Sequence, residues 1–172
     1  MNSGLATDIT VQLATEAAGV PDSELFNRWV NLARQGVSGE VTLRIVDEAE
    51  SAELNSRYRD KLGATNVLSF ESQDLVAEDE QRLLPPEVVA ELAGELGDLV
   101  LCAPLVVAEA AQQGKATISH WAHLTVHGVL HLRGFDHQNE ADQQQMESIE
   151  IKLLNQLGYA DPYLPVSIGT VG

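Results

Sequence analysis

From Asp8 to Leu13 polar and apolar side chains alternate, a two-residue period that sets Ile9, Val11 and Leu13 on one face of a strand. Val41, Leu43 and Ile45 repeat that period and predict a second strand. Between them Pro21-Asp22-Ser23 opens a helix whose apolar face is Leu25, Trp29, Leu32 and Ala33, closed by Gly36. Asp47 with Glu50 three residues on reads as a capping box for a helix through about Arg57. Asn66-Val67-Leu68-Ser69-Phe70 predicts a short strand entered from the Gly63-Ala64-Thr65 turn. Leu96 to Cys102 is the most apolar strand candidate and belongs in the centre of a sheet. Pro104 fits a first helical turn, with a helix through Gln112. A further helix covers Thr117 to Arg133 and is ended by Gly134. The last starts near Asn139, buries Met146, Ile149, Leu153 and Leu157, and stops at Gly158.

Strands interleaved with helices through connections of unequal length predict an α+β fold, a small mixed β-sheet packed on helices. With no internal repeat and no low-complexity linker, residues 1–172 read as a single domain. It carries a mobile acidic excursion at about 71–95 and a loose tail from about 159.

Composition narrows the class. The 172 residues are 44% apolar and 21% charged, ordinary globular usage. No apolar run approaches the ~20 residues that span a bilayer, the first residues carry no secretion signal, and the lone Cys102 cannot form an intrachain disulfide. The expectation is a cytoplasmic domain with no membrane partner. The formal net charge of −16 disfavours nucleic acid on average, but charge is unevenly placed. Nine acids fall between Glu71 and Asp98 against one base, Arg82, while Arg57, Arg59 and Lys61 lie within five residues. A local positive field on an acidic body is therefore available.

The chemistry concentrates in His127-Gly128-Val129-Leu130-His131-Leu132-Arg133-Gly134-Phe135-Asp136-His137. Two histidines four apart on a helix project from one face and can reach one ion. Gly134 lets the chain turn back to offer His137 as a third ligand. Three neutral imidazoles suit one zinc ion and leave a fourth tetrahedral position for water. Metzincin proteases use the same spacing, with a general-base Glu where this chain has Gly128. Without that base peptide hydrolysis loses ~10²–10⁴-fold, whereas a metal still lowers the pKa of bound water to about 7. A metal-dependent hydrolase of something other than a peptide, or a binding site, follows.

The motif H-G-V-L-H-L-R-G-F-D-H closely resembles the signature H-G-x-L-H-L-x-G-[YF]-D-H of the YbeY family of bacterial endoribonucleases. Asn55-Ser56-Arg57-Tyr58-Arg59 followed by Thr65-Asn66-Val67-Leu68-Ser69-Phe70 resembles a second family block, and Leu96-Gly97-Asp98-Leu99-Val100-Leu101-Cys102 a third. Glu71 departs from the pattern, standing where many relatives carry proline, and the acidic stretch after it looks specific to this chain. The resemblance implies a zincin-like metal-site helix and a single-strand-specific, zinc-dependent endoribonuclease. Its substrate would be ribosomal RNA, cut in 3′-end maturation of the small subunit and in ribosome quality control, with the small ribosomal subunit and assembly factors as partners. It implies His127, His131 and His137 as zinc ligands and Arg59 as the catalytic arginine, stabilising the phosphoryl transition state.

Around these, Asp136 either orients an imidazole or caps the following turn. His123, one helical turn before His127, lines the cleft or is a satisfied buried histidine, and His120 is expected at the exposed helix start. Arg57 and Lys61 either contact phosphates or are surface charges, and Asn66 and Ser69 can line the cleft from the neighbouring strand. Two rivals stand beside this reading. One is a metal-dependent hydrolase of a non-RNA substrate; the other is a non-catalytic ribosome assembly factor with structural zinc.

Overall fold

The computed structural model describes residues 9–37, 39–71, 85, 95–135 and 139–163. Four strands and five helices follow one another along these residues: β1 (Ile9–Ala14), α1 (Ser23–Arg34), β2 (Glu40–Val46), α2 (Glu48–Arg59), β3 (Val67–Glu71), β4 (Glu95–Cys102), α3 (Ala103–Gln113), α4 (Thr117–Leu132) and α5 (Glu140–Gln156).

The strands form one mixed sheet in the order β1-β2-β4-β3. β2 runs parallel to both β1 and β4, and β3 closes the far edge antiparallel to β4. The expected α+β class holds, and the apolar Leu96–Cys102 strand is interior, flanked on both sides. Alternation along β4 feeds two cores. Leu99 and Leu101 join Val41, Leu43 and Ile45 on the main face, under α1, α4 and α5. Val100 and Cys102 join Val46, Leu68 and Phe70 on the other. Phe26 of α1 meets Trp29 and Trp121 edge to face, with ring centroids 5.5 and 5.9 Å apart.

α4 is the hub: it packs against α1, α3 and α5 and lies over β3 and β4. Its C-terminal turns end at Gly134, whose φ is +98°. Leu132 there seats on a β-bulge. β2 and β4 pair Glu40 with Glu95 and then Val41 with Gly97, so Leu96 is the extra residue. Gly97 has φ +150°, and a Cβ there would stand 2.3 Å from the Phe70 carbonyl oxygen and 2.7 Å from Leu132 Cδ2. The glycine lets β3, β4 and the end of α4 close together.

Several local expectations shift. The buried face of α1 is Phe26, Trp29, Val30 and Ala33, with Leu25 and Leu32 at its margins. Asp47 occupies the N-cap position of α2 but makes no side-chain cap. It accepts instead from Thr15 of the β1–α1 connection, while Glu50 pairs with Arg44 of β2. The capping box is thus replaced by two tertiary contacts. Asn139 does cap α5, accepting from the Asp142 amide at 2.8 Å. Of the acidic excursion only Glu71, Pro85 and Glu95 fall among the described residues. After α5 the described residues through Tyr163 stay in contact with the body. Tyr159 meets Trp29 edge to face at 6.4 Å, and Lys115 Nζ donates to the Pro162 carbonyl at 2.7 Å. Among the described residues no helix is long and apolar enough to cross a membrane.

Gly97→Ala must displace backbone, not just a side-chain tip, and strains φ as well. We expect it to cost about 2–4 kcal/mol of stability, read as a lower urea midpoint at unchanged m-value.

Candidate metal centre and active-site groove

Four-residue spacing on α4 stacks His127 and His131 on successive turns, ring centroids 4.6 Å apart and planes at 78°. Their Nε2 atoms face each other at 3.2 Å. Two nitrogens each 2.0–2.1 Å from one tetrahedral ion lie about 3.3 Å apart, so the pair already has the separation that a shared metal needs. His137 and Asp136, the expected third ligand and its neighbour, lie outside the described residues.

The other ring nitrogen of His127 is equally constrained. Nδ1 lies 2.5 Å from Oε2 of Glu150, a carboxylate fully buried on the inner face of α5. An ionised carboxylate only accepts, so Nδ1 carries the proton and the Nε2 lone pair is left facing His131. Oε1 of Glu150 lies 3.1 Å from His123 Nε2 and also accepts from the Tyr163 hydroxyl. Burial alone would raise the Glu150 pKa; the bonds from His123, His127 and Tyr163 outweigh it and hold the carboxyl down at about 2, against an ordinary 4.5. Burial and this carboxylate push the Tyr163 phenol well above its usual range.

Two ligand sets therefore meet at His127. Ligand atoms of His123, His127 and Glu150 lie within 4.8 Å of one another and could hold an ion. Glu150 is already satisfied there by three donors, which accounts for its burial without a metal. The Nε2 side, shared with His131, lines the space between α4 and β3.

That space is a groove of about 410 Å³ between α4, β3 and the end of α2. Arg59, Lys61, Asn66 and Ser69 line it together with His127 and His131, and so does Asn55. Among the described lining residues there is no carboxylate. Arg59 is held on the wall: Nη2 donates to the Ser69 carbonyl at 2.5 Å, and Cζ sits 4.8 Å from the centre of the Phe70 ring. Ser69 Oγ donates to the Gly128 carbonyl at 3.2 Å and ties β3 to α4. Arg57 is exposed beside the Tyr58 ring and does not line the groove. Nor does His123, which faces Glu150 and Tyr163.

His120 is not at an exposed helix start. It is buried, and Nε2 lies 2.9 Å from Glu109 of α3; burial lowers its pKa despite that carboxylate. Glu150, Tyr163 and Glu109 escaped the sequence reading. Glu150 had a legible signal, since it falls on the same helical face as Met146 and Leu153 and is the one carboxylate on an apolar stripe. Tyr163 and Glu109 had none.

Gly128 packs closely against the sheet. A Cβ there would lie 2.7 Å from Leu99 Cδ2 and 3.3 Å from Ser69 Oγ. A larger residue at this position would have to push the Leu99 side chain aside.

A family profile described as Endoribonuclease YbeY matches residues 12–158. The chain belongs to the YbeY endoribonuclease family. Its relative from Nitrosococcus oceani, named Endoribonuclease YbeY, is 48% identical over 161 residues, 92% of this chain and 98% of the relative. One of the same name from Methylococcus capsulatus is 49% identical over 156 residues, covering 91% and 95%. The solution structure of TM1509 from Thermotoga maritima shares the fold at a TM-score of 0.50, with 18% identity, 90% of this chain and 99% of that one covered.

The Glu150 carboxylate gives a signed pH dependence in metal-free protein. Its folded pKa, about 2, is below the ordinary 4.5, so its stabilisation is complete above about 4.5 and is lost as pH falls through 2. The stability advantage of the native chain over Glu150→Gln, measured by urea unfolding, should be full at pH 6 and less than half as large by pH 3.

Proposed function

We propose that this chain is a single-domain, zinc-dependent endoribonuclease that cuts single-stranded ribosomal RNA, acting in 3′-end maturation of the small-subunit RNA and in its quality control. Family membership supplies the reaction class, and the observation that carries the site is the facing Nε2 pair of His127 and His131 on a groove lined by Arg59 and Lys61. His127, His131 and His137 would hold the ion. When bound, zinc supplies Lewis-acid polarisation of a phosphoryl oxygen and lowers the pKa of water toward about 7.

The protein's own groups do the rest. Glu150 keeps His127 in the tautomer whose Nε2 lone pair faces the groove, and its charge favours ligation. Cleavage builds negative charge on the non-bridging oxygens as phosphorus becomes five-coordinate. The planar guanidinium of Arg59, fixed by the Ser69 carbonyl and the Phe70 ring, presents donors in the geometry those oxygens require. Lys61 adds a second positive charge for the phosphate backbone. The nucleophile is water or the RNA's own 2′-hydroxyl; the second route leaves a cyclic phosphate. A groove with cations and imidazoles but no described carboxylate reconciles phosphate binding with a chain of net charge −16. Such a localised positive groove fits a substrate presented by the small ribosomal subunit and its assembly factors in the cytoplasm.

The test is cleavage of an end-labelled single-stranded RNA, with an unstructured protein substrate alongside, by native chain, His131→Ala and Arg59→Glu purified identically. We expect RNA cleavage by native protein, abolished by a chelator and by His131→Ala, with Arg59→Glu slowed about 10²–10³-fold at unchanged thermal stability. Equal cleavage by all three would mean a contaminating nuclease and would overturn the assignment. Cleavage of the protein substrate alone would return the site to proteolysis.

A further inference from the structure

Asn66 is the groove residue whose hydrogen bonding is most completely specified from behind. It stands immediately before β3, with its carbonyl accepting from the Cys102 amide at 2.9 Å, so its backbone is pinned to the interior strand. Its side-chain Nδ2 lies 3.0 and 3.3 Å from the two carboxylate oxygens of Glu109. Glu109 is in turn held by the buried His120, whose Nε2 is 2.9 Å from Oε1. A carboxylate can only accept, so it takes the NH₂ end of the amide and fixes the flip of the group. Oδ1 is thereby turned away from Glu109. It has no partner among the described residues, yet it is not sealed from solvent. Asn66 shares its groove with Arg59, His127 and His131.

This makes Oδ1 a fixed acceptor amid groups that otherwise donate or ligate. Arg59 and Lys61 suit phosphate oxygens; an acceptor beside them calls for a donor close to the phosphate. In RNA that donor is the ribose 2′-hydroxyl, one bond away from the sugar carbon next to each 3′-phosphate linkage, and DNA lacks it. At about 410 Å³ the groove is near the low end of the ~300–1,000 Å³ typical of small-ligand sites, so a nucleotide seated on the phosphate-binding groups brings its sugar close to Asn66.

We propose that Asn66 Oδ1 accepts a hydrogen bond from a substrate 2′-hydroxyl, with Glu109 and His120 as positioning residues that hold the amide in the one orientation able to do so. Asn66 is then the residue by which the groove distinguishes RNA from DNA. The inference rests on the endoribonuclease reading and deepens it.

The experiment compares two probes on the zinc-loaded full chain: a short single-stranded RNA and the same sequence in 2′-fluoro form. Fluorine keeps the RNA-like sugar pucker but cannot donate, so the pair isolates the donor. Binding is read by fluorescence anisotropy, each titration checked on a gel for intact RNA, and cleavage by native protein is measured separately. Native protein should bind RNA about three- to tenfold more tightly than the 2′-fluoro strand, the worth of one hydrogen bond. In Asn66→Leu the ratio should fall to near unity. In Glu109→Gln it should fall too, because a glutamine amide can pair with either end of the Asn66 amide and releases the flip.

A merely structural role for Asn66 would weaken both probes equally and leave the ratio intact. That result, in either variant at unchanged thermal stability, overturns the proposal. A loss that follows base identity instead of the sugar also overturns it. Should Asn66→Leu fail to fold, Glu109→Gln carries the test by itself. Native protein that cuts RNA while the variants keep its ratio sinks only the role of Asn66. Native protein with no metal-dependent cleavage sinks the endoribonuclease reading itself.

Discussion

A carboxylate sealed from water costs several kcal/mol unless donors replace its hydration, and Glu150 has no exposed side-chain surface. Its donors come from three directions: His123 and His127 on α4, and Tyr163 after the end of α5. The arrangement couples three things that would otherwise be independent. α5 must pack on α4 in one register, the chain after it must return to the same place, and the His127 ring must adopt one tautomer. The side of His127 that faces the groove is therefore set by a charge on the side that does not. This also explains why two overlapping ligand sets meet at one histidine. The carboxylate side is closed by hydrogen bonding, and the Nε2 side lines the groove beside His131.

The second constraint is how an acidic protein handles a polyanion. A net charge of −16 would repel RNA if it were spread evenly, but electrostatic potential depends on position more than on the sum. The groove collects Arg59 and Lys61 from the last turn of α2 and the loop beyond it, facing two imidazoles, and its described lining contains no acid. Several glutamates are bonded to groups of this chain. Glu109 is bonded to Asn66 and His120, Glu50 to Arg44, and Glu150 to its three donors. Positive charge is thus concentrated at the groove on an otherwise acidic chain.

How much of this the sequence discloses depends on range. Strand alternation along β2 and β4 and the helix stop at Gly134 are local, and each places its element correctly. The histidine pair is also local, because α-helical spacing alone sets it. The phase of α1 differs from the expected one because Leu25 and Leu32 are as apolar as the residues that are buried, and only a partner from another helix, Trp121 against Phe26, settles which stripe faces inward. The Asp47–Glu50 pair failed as a cap for a different reason: Thr15 and Arg44, distant in sequence, offered both acids better contacts. His120 was misplaced because nothing in its own helix reveals Glu109. Glu150 was legible as a charge on an apolar stripe, but its meaning required the helix opposite.

The same spacing of histidines serves proteases in one protein class and lies in an endoribonuclease family here, and this chain has Gly128 where those proteases carry the general base. α4 lies close to the sheet there: Leu99 and Ser69 of β4 and β3 occupy the space where a side chain would begin. The close approach has its own consequence, because it brings the β3 edge against the metal-site helix and seats Ser69 on the Gly128 carbonyl. With the strand so placed, the Ser69 carbonyl becomes the anchor for Arg59 and the strand entry becomes the position of Asn66. The close packing of α4 on the sheet at Gly128 and the placing of Arg59 and Asn66 on the groove wall are thus one packing event.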